Sequence, residues 1–298
     1  MYLTGFADEA ADDIDGQIRA TRELGWHNIE SRNINGRNLH DIPDAEFDEV
    51  RGKLEKAGVR VNCFGSAIAN WSKKITEPPD SSLAEVKRAI PRMKALGTKL
   101  IRIMSFAVLP DRGPEDQREK ERFKRVREIW KMFDGEGLVP VHENCMNYGG
   151  MGWPFMLKLL DQVPGLKVVF DTGNPVFNPD RSQPKPWPKQ DAWEFYAQVR
   201  EFVAHVHVKD ARWDPLRNET VYTYPGEGAG QVRRILKDLL DRGYDAGISI
   251  EPHLAVVFHD AAVTASAQAQ FDTYVEYGRR LMRLLAGLRA ERGAGKTI

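Results

Sequence analysis

The feature that most constrains this chain is a period. Short apolar runs ending in polar residues alternate, eight times over, with longer segments that place an apolar residue at every third or fourth position. A strand covered on both faces reads as a continuous apolar run, whereas a helix lying against it needs one apolar stripe, so the alternation is that of βα units feeding a parallel sheet. The runs are Tyr2 to Ala7, His27 to Ser31, Arg60 to Phe64, Lys99 to Met104, Leu138 to His142, Lys167 to Phe170, Phe202 to Val208 and Gly247 to Ile250. Helical stripes such as Ile14 to Leu24, Phe47 to Ala57, Val232 to Leu240 and Phe271 to Leu285 fall between or after them. Gly25, Gly58, Gly97, Gly137, Gly165 and Gly243 each stand between a stripe and the next run, where a left-handed residue ends a helix. Open doubly wound sheets usually stop at five or six strands, and eight units are what close a barrel. The expectation is an α/β protein in which residues 1–298 form a single (β/α)8 TIM barrel, with Pro91 kinking the third helix.

Charge narrows the function. The 298 residues carry 43 basic and 43 acidic side chains, interleaved along the helical segments as solvated faces, so nothing invites a polyanion and no nucleic-acid partner is expected. Cys63 and Cys145 cannot build a disulfide framework and read as reduced thiols. The first residues turn acidic at once, and no apolar run approaches the roughly 20 residues that a membrane helix needs. The expected location is the cytoplasm, with no membrane partner.

What terminates the later runs is the informative observation. Leu138-Val139-Pro140-Val141-His142 is followed by Glu143, Val168-Val169-Phe170 by Asp171, His205-Val206 by His207, and Ile248-Ser249-Ile250 by Glu251. In a closed barrel these positions converge on the axis at the C-terminal rim, where three carboxylates and an imidazole would repel and desolvate one another without a cation. Oxygen and nitrogen donors without a thiolate suit Mn²⁺, Mg²⁺, Co²⁺ or Zn²⁺. Glu143, Asp171, His207 and Glu251 are therefore the expected ligands of one divalent ion. His205, of the same parity but further from the rim, is expected to support or pack.

Two long loops, Ser105 to Glu119 and Asn178 to Asp191, follow strand ends on the same rim and are candidate lids or subunit contacts. Two glycine-rich segments do not carry phosphate chemistry. The tail ending Gly295-Lys296-Thr297 has Ala290 where a P-loop needs its first glycine, and Gly226-Glu227-Gly228-Ala229-Gly230 has Gln231 where GxGxxG needs its last.

Taken together, these residues resemble the xylose isomerase-like superfamily of sugar phosphate isomerases and epimerases, over essentially the whole chain. The matching pieces are Phe6-Ala7-Asp8-Glu9, Ile29-Glu30-Ser31-Arg32, Gly36-Arg37-Asn38, the Glu143 strand end, Asp171-Thr172-Gly173-Asn174, His205 to Asp210 and Glu251-Pro252-His253. The resemblance implies that the four strand-end residues bind the ion and that Glu143 and Glu251 also shuttle protons. Relatives of the ketose epimerase type carry a substrate-binding histidine where this chain has Asn174. Endonuclease IV-like relatives draw zinc-binding histidines from early strands, which here end in Asn62-Cys63-Phe64-Gly65 and Met104-Ser105-Phe106. The implied activity is isomerisation or epimerisation of a small keto-sugar through a metal-stabilised enediolate. A lyase expelling a β-hydroxyl is the runner-up, and a non-catalytic sugar-binding barrel the rival from another class. Arg32, Asn144, Asn174, Lys209, Arg212 and His253 are the expected substrate contacts, with Glu9 and Trp71 as lesser candidates and Tyr148 and Trp153 as stacking platforms. Dimers and tetramers are common in the resembling family, so a homo-oligomer is also expected.

Overall fold

The computed structural model describes residues 1–257 and 265–294. Eight parallel strands form one sheet: β1 (Tyr2–Gly5), β2 (Asn28–Ser31), β3 (Arg60–Phe64), β4 (Leu100–Ile103), β5 (Val139–Glu143), β6 (Lys167–Asp171), β7 (Val203–Val208) and β8 (Gly247–Ile250). Each pairs with its neighbour in sequence, β8 returns to β1, and a single parallel bridge from Phe6 to Glu30 joins the β1 and β2 edges. The result is the expected (β/α)8 barrel. Its outer ring is α1 (Ile14–Glu23), α2 (Asp44–Ala57), α3 (Asp80–Leu96), α4 (Glu119–Asp134), α5 (Trp153–Gln162), α6 (Ala192–Val199), α7 (Val232–Asp241) and α8 (Ala267–Ala294). The Lys296-Thr297 tail lies outside the described residues.

Local chemistry sets the boundaries. Asp13 and Asp191 cap α1 and α6 by accepting the amides of Gly16 and Glu194 at 2.9 and 2.8 Å, which satisfies donors that the first helical turn cannot. At the other end, Gly58 and Gly97 close α2 and α3 in the left-handed conformation, with φ of 63° and 67°. The α3 span continues through Pro91 from Asp80 to Leu96. Buried helix stripes, such as Ile235, Leu236 and Leu239 of α7, pack with strand residues such as Val206, Val208, Ile248 and Ile250 into one large core. No helix among the described residues is long and apolar enough to cross a membrane.

Register brings the chemistry to one height. Asp171 of β6 pairs with His207 of β7, which pairs in turn with Ser249 of β8, two residues before Glu251. The rim also carries an antiparallel hairpin, Asp210–Asp214 with Glu219–Thr223, that the period does not announce. The glycine-rich segment behind it is folded around a carboxylate: Asp210 accepts the amides of Gly226, Gly228 and Gly230 at 2.8, 3.0 and 2.9 Å. A Cβ at Gly228 would sit 2.2 Å from Asp210 Oδ1, so the glycine is required by close approach.

Candidate metal centre

Glu143 ends β5, Asp171 ends β6, His207 lies one residue inside the end of β7, and Glu251 follows β8 directly. All four are buried, and one donor atom from each lies within 4.8 Å of the donors of the others. His207 Nδ1 is 3.2 Å from Glu143 Oε1 and 3.9 Å from Glu251 Oε2. Asp171 spends Oδ1 on the amides of Gly173 and Asn174, at 2.8 and 2.6 Å. Among the described residues, its Oδ2 accepts no aligned hydrogen bond and lies 3.0 Å from the Lys209 ammonium. A carboxylate oxygen kept off the backbone and aimed at two more carboxylates and an imidazole is what a small divalent cation accepts, so the donor set fits such an ion.

Charge supports the same reading. Around the centre, six buried carboxylates (Asp8, Glu9, Glu30, Glu143, Asp171, Glu251) face three permanent cations (Arg32, Arg102, Lys209), leaving three negative charges to be met by imidazole protonation or a bound cation. Burial and the neighbouring Glu251 and Glu143 push the Asp171 pKa up to about 7, against the pull of Lys209. Burial also works against ionisation of Glu143, but Arg102, with Nη1 3.1 Å away, and His207 outweigh it and hold the carboxyl below its usual range. Glu251 is likewise desolvated, yet Lys209 at 3.1 Å, His253 and Arg32 at 3.0 Å hold it well below the usual value. The surrounding cations thus favour the charged form of both glutamates.

A supporting layer fixes these side chains. Glu30 receives Nε2 of His205 at 2.7 Å and Nε2 of His207 at 3.1 Å. Burial disfavours the Glu30 charge, but the two imidazoles more than compensate and hold its pKa well below normal. A carboxylate can only accept, so both Nε2 atoms carry protons, and Nδ1 is the His207 nitrogen left for the ion, the carboxylate–histidine–metal pattern. Arg32 reaches Asp8 through Nε at 2.9 Å and Nη2 at 3.1 Å, and Glu251 through Nη1 at 3.0 Å. Glu9 takes the His253 amide at 2.7 Å and Nδ1 at 2.9 Å, anchoring that residue at its positive φ of 53°.

The expected substrate contacts divide. Arg32, Asn174, Lys209 and His253 line a cavity of about 220 Å³ over the centre, together with Trp71. Asn144 does not: its side chain clamps the Asp171 backbone, donating to the carbonyl at 2.9 Å and accepting the amide at 2.7 Å, so it positions Asp171. Arg212 does not either, since it lies exposed on the rim hairpin and donates to the Glu227 carbonyl at 2.9 Å. Tyr148 is fully buried with its hydroxyl on Glu119, and the Trp153 indole binds Glu194 at 3.3 Å, so neither lines the cavity. Glu30 and Arg102 had no role assigned from sequence. The available signal was a lone charge inside an apolar strand, Asn28-Ile29-Glu30 and Leu100-Ile101-Arg102-Ile103, which must find a buried partner.

Fold and site together define a (β/α)8 barrel with a carboxylate and histidine centre at its strand ends. The chain belongs to the xylose isomerase-like TIM barrel family, whose model matches residues 18–273. Among solved structures it is similar to the IOLI protein determined with a zinc atom, at 13% identity and a TM-score of 0.71 over 97% of this chain and 99% of that one. It is also similar to the 3-keto-D-glucoside 4-epimerase of E. coli, at 18% identity and a TM-score of 0.61 over 97% and 99% of the two chains. The probable 3-DHS dehydratase of Bacillus anthracis aligns at 17% identity and a TM-score of 0.67 over 95% and 99%. Comparison with curated proteins gives no match.

Proposed function

We propose that this protein is a divalent-metal-dependent enzyme that isomerises or epimerises a small keto-sugar or sugar derivative through an enediolate. The observation that carries the proposal is a pair of buried glutamates, Glu143 and Glu251, sharing one centre with Asp171 and His207. An ion held by these four, whether Mn²⁺, Mg²⁺, Co²⁺ or Zn²⁺, supplies Lewis-acid polarisation of a substrate carbonyl and countercharge for the oxygen that becomes negative.

The chain's own residues do the remainder. Glu143 and Glu251 come from different strand ends, β5 and β8, and both line the cavity, so a substrate there meets two carboxylates. One removes the proton next to the carbonyl, and the other returns it to the neighbouring carbon or the opposite face. Arg32 and Lys209 restrain Glu251, while Arg102 restrains Glu143. Asn174, with Nδ2 3.3 Å from Glu143 Oε1, and His253 present polar groups to substrate hydroxyls from the cavity wall. The similarity to a dehydratase supports a second outcome on the same machinery, in which the enediolate expels a β-hydroxyl and Lys209 or His253 supplies its proton.

Solvent deuterium tests the proposal. Incubated in D₂O with Mn²⁺ and a panel of keto-sugars, inososes and hydroxypyruvate, the protein exchanges a carbon-bound proton of at least one compound. Glu143→Gln and Glu251→Gln each slow that exchange by about 100-fold or more. Absence of exchange across the panel identifies a binder, and full activity in either variant removes that glutamate from the proton path.

A further inference from the structure

Beside the cavity over the carboxylate centre lies a second hollow of about 380 Å³. Trp71, Met146 and Phe177 line both, so the two spaces meet at an apolar neck. Their walls differ in kind. The first presents Arg32, Glu143, Lys209 and Glu251, matched to hydroxyl and carbonyl oxygens, whereas the second presents Val108, Met151 and Pro179, which offer a sugar hydroxyl nothing. At about 220 Å³ the polar cavity falls below the roughly 300–1,000 Å³ of a drug-sized ligand site, and the two together fall within that range.

At the edge of the second hollow, Arg181 lies over the Trp187 ring, 4.4 Å from the centroid. Trp71 keeps 39% of its surface exposed at the neck, where a flat group can stack. We infer that the substrate is a keto-sugar joined to an apolar ring, the sugar lying over the carboxylate centre and the ring in the hollow against Val108, Met151 and Pro179. This assignment names the substrate class of the proposed isomerase or epimerase and rests on that function for the sugar half.

Two probes test it on the full chain supplied with Mn²⁺: 4-nitrophenyl β-D-glucopyranoside and methyl β-D-glucopyranoside, which differ only in the ring. The aryl glycoside binds about tenfold tighter or more by calorimetry. Val108→Trp, which fills the hollow, removes that advantage and leaves the methyl glycoside unchanged, and the smaller Val108→Phe removes part of it. Equal affinities, no binding of the aryl glycoside, or an advantage that survives in both variants overturns the assignment. Deuterium exchange separates this from the proposed function. Exchange of a free keto-sugar without any aryl preference sinks the ring site alone, whereas aryl preference without exchange anywhere in the keto-sugar, inosose and hydroxypyruvate panel leaves a ring-binding hollow and sinks the enzyme assignment.

Discussion

Replacing Glu30 by glutamine isolates how the centre is held. Glu30 is wholly buried and makes no contact with the proposed ion, yet both its oxygens are committed, to His205 at 2.7 Å and His207 at 3.1 Å. In Glu30→Gln the amide oxygen can still accept from one imidazole, but the NH₂ group confronts the other Nε2 proton, donor against donor. Leaving one buried donor unmet costs about 1–3 kcal/mol, which lowers the melting temperature by about 2–4 °C for each kcal/mol. The more telling effect is on the ion. Without the carboxylate, the His207 ring loses both its fixed tautomer and the extra basicity at Nδ1, and loss of such a partner weakens metal binding about 10–100-fold. Titration calorimetry of Mn²⁺ into metal-free wild type and variant, with parallel thermal melts, reads both quantities. A lower melting temperature alone would follow from any buried mispairing. Mn²⁺ affinity within about twofold of wild type would refute the claim that Glu30 orients His207 toward an ion.

Two further outcomes follow from the same geometry. Burial disfavours a charged His207, but Glu30 and Glu143 on its two sides outweigh this and push its pKa up to about 10 in the metal-free protein. An entering ion therefore displaces a proton, so between pH 7 and 9, above the Asp171 transition, Mn²⁺ affinity rises about tenfold per pH unit and calorimetry in two buffers counts about one proton released; a flat profile contradicts this. Arg122, fully buried, donates to the carbonyls of Ser105, Phe106, Ala107 and Gln117 at 2.6, 3.1, 2.6 and 2.5 Å. Arg122→Met strips those partners and destabilises the fold by about 3–5 kcal/mol, with protease cleavage concentrated in residues 105–118; unchanged denaturation would refute its fastening role.

The barrel was legible because one short pattern recurs and each copy carries its own punctuation: Gly58 and Gly97 mark helix ends by a conformation other residues resist, and apolar runs mark strands. The strand-end donors were legible for a related reason, since the end of every strand in a closed barrel points to one place. Glu30 shows where that logic stops. It occupies the third position of β2, but only the meeting of β2 with β1 and β7 across the barrel gives it two histidines. Asn144 and Arg212 are expected at the substrate from their place in rim segments, Asn144 directly after Glu143 and Arg212 beyond the end of the seventh strand. The pleat turns Asn144 onto the Asp171 backbone, and the hairpin carries Arg212 away to Glu227. That hairpin had a signal in the β-branched and aromatic run Thr220-Val221-Tyr222-Thr223, which a search for an eightfold period passes over.

A crystal grown with Mn²⁺ and measured at the manganese absorption edge tests the central claim most directly. One anomalous peak is expected about 2.0–2.6 Å from an oxygen of each of Glu143, Asp171 and Glu251 and from Nδ1 of His207. No peak there at millimolar Mn²⁺, or a peak bound through Nε2 of His207, would contradict the account.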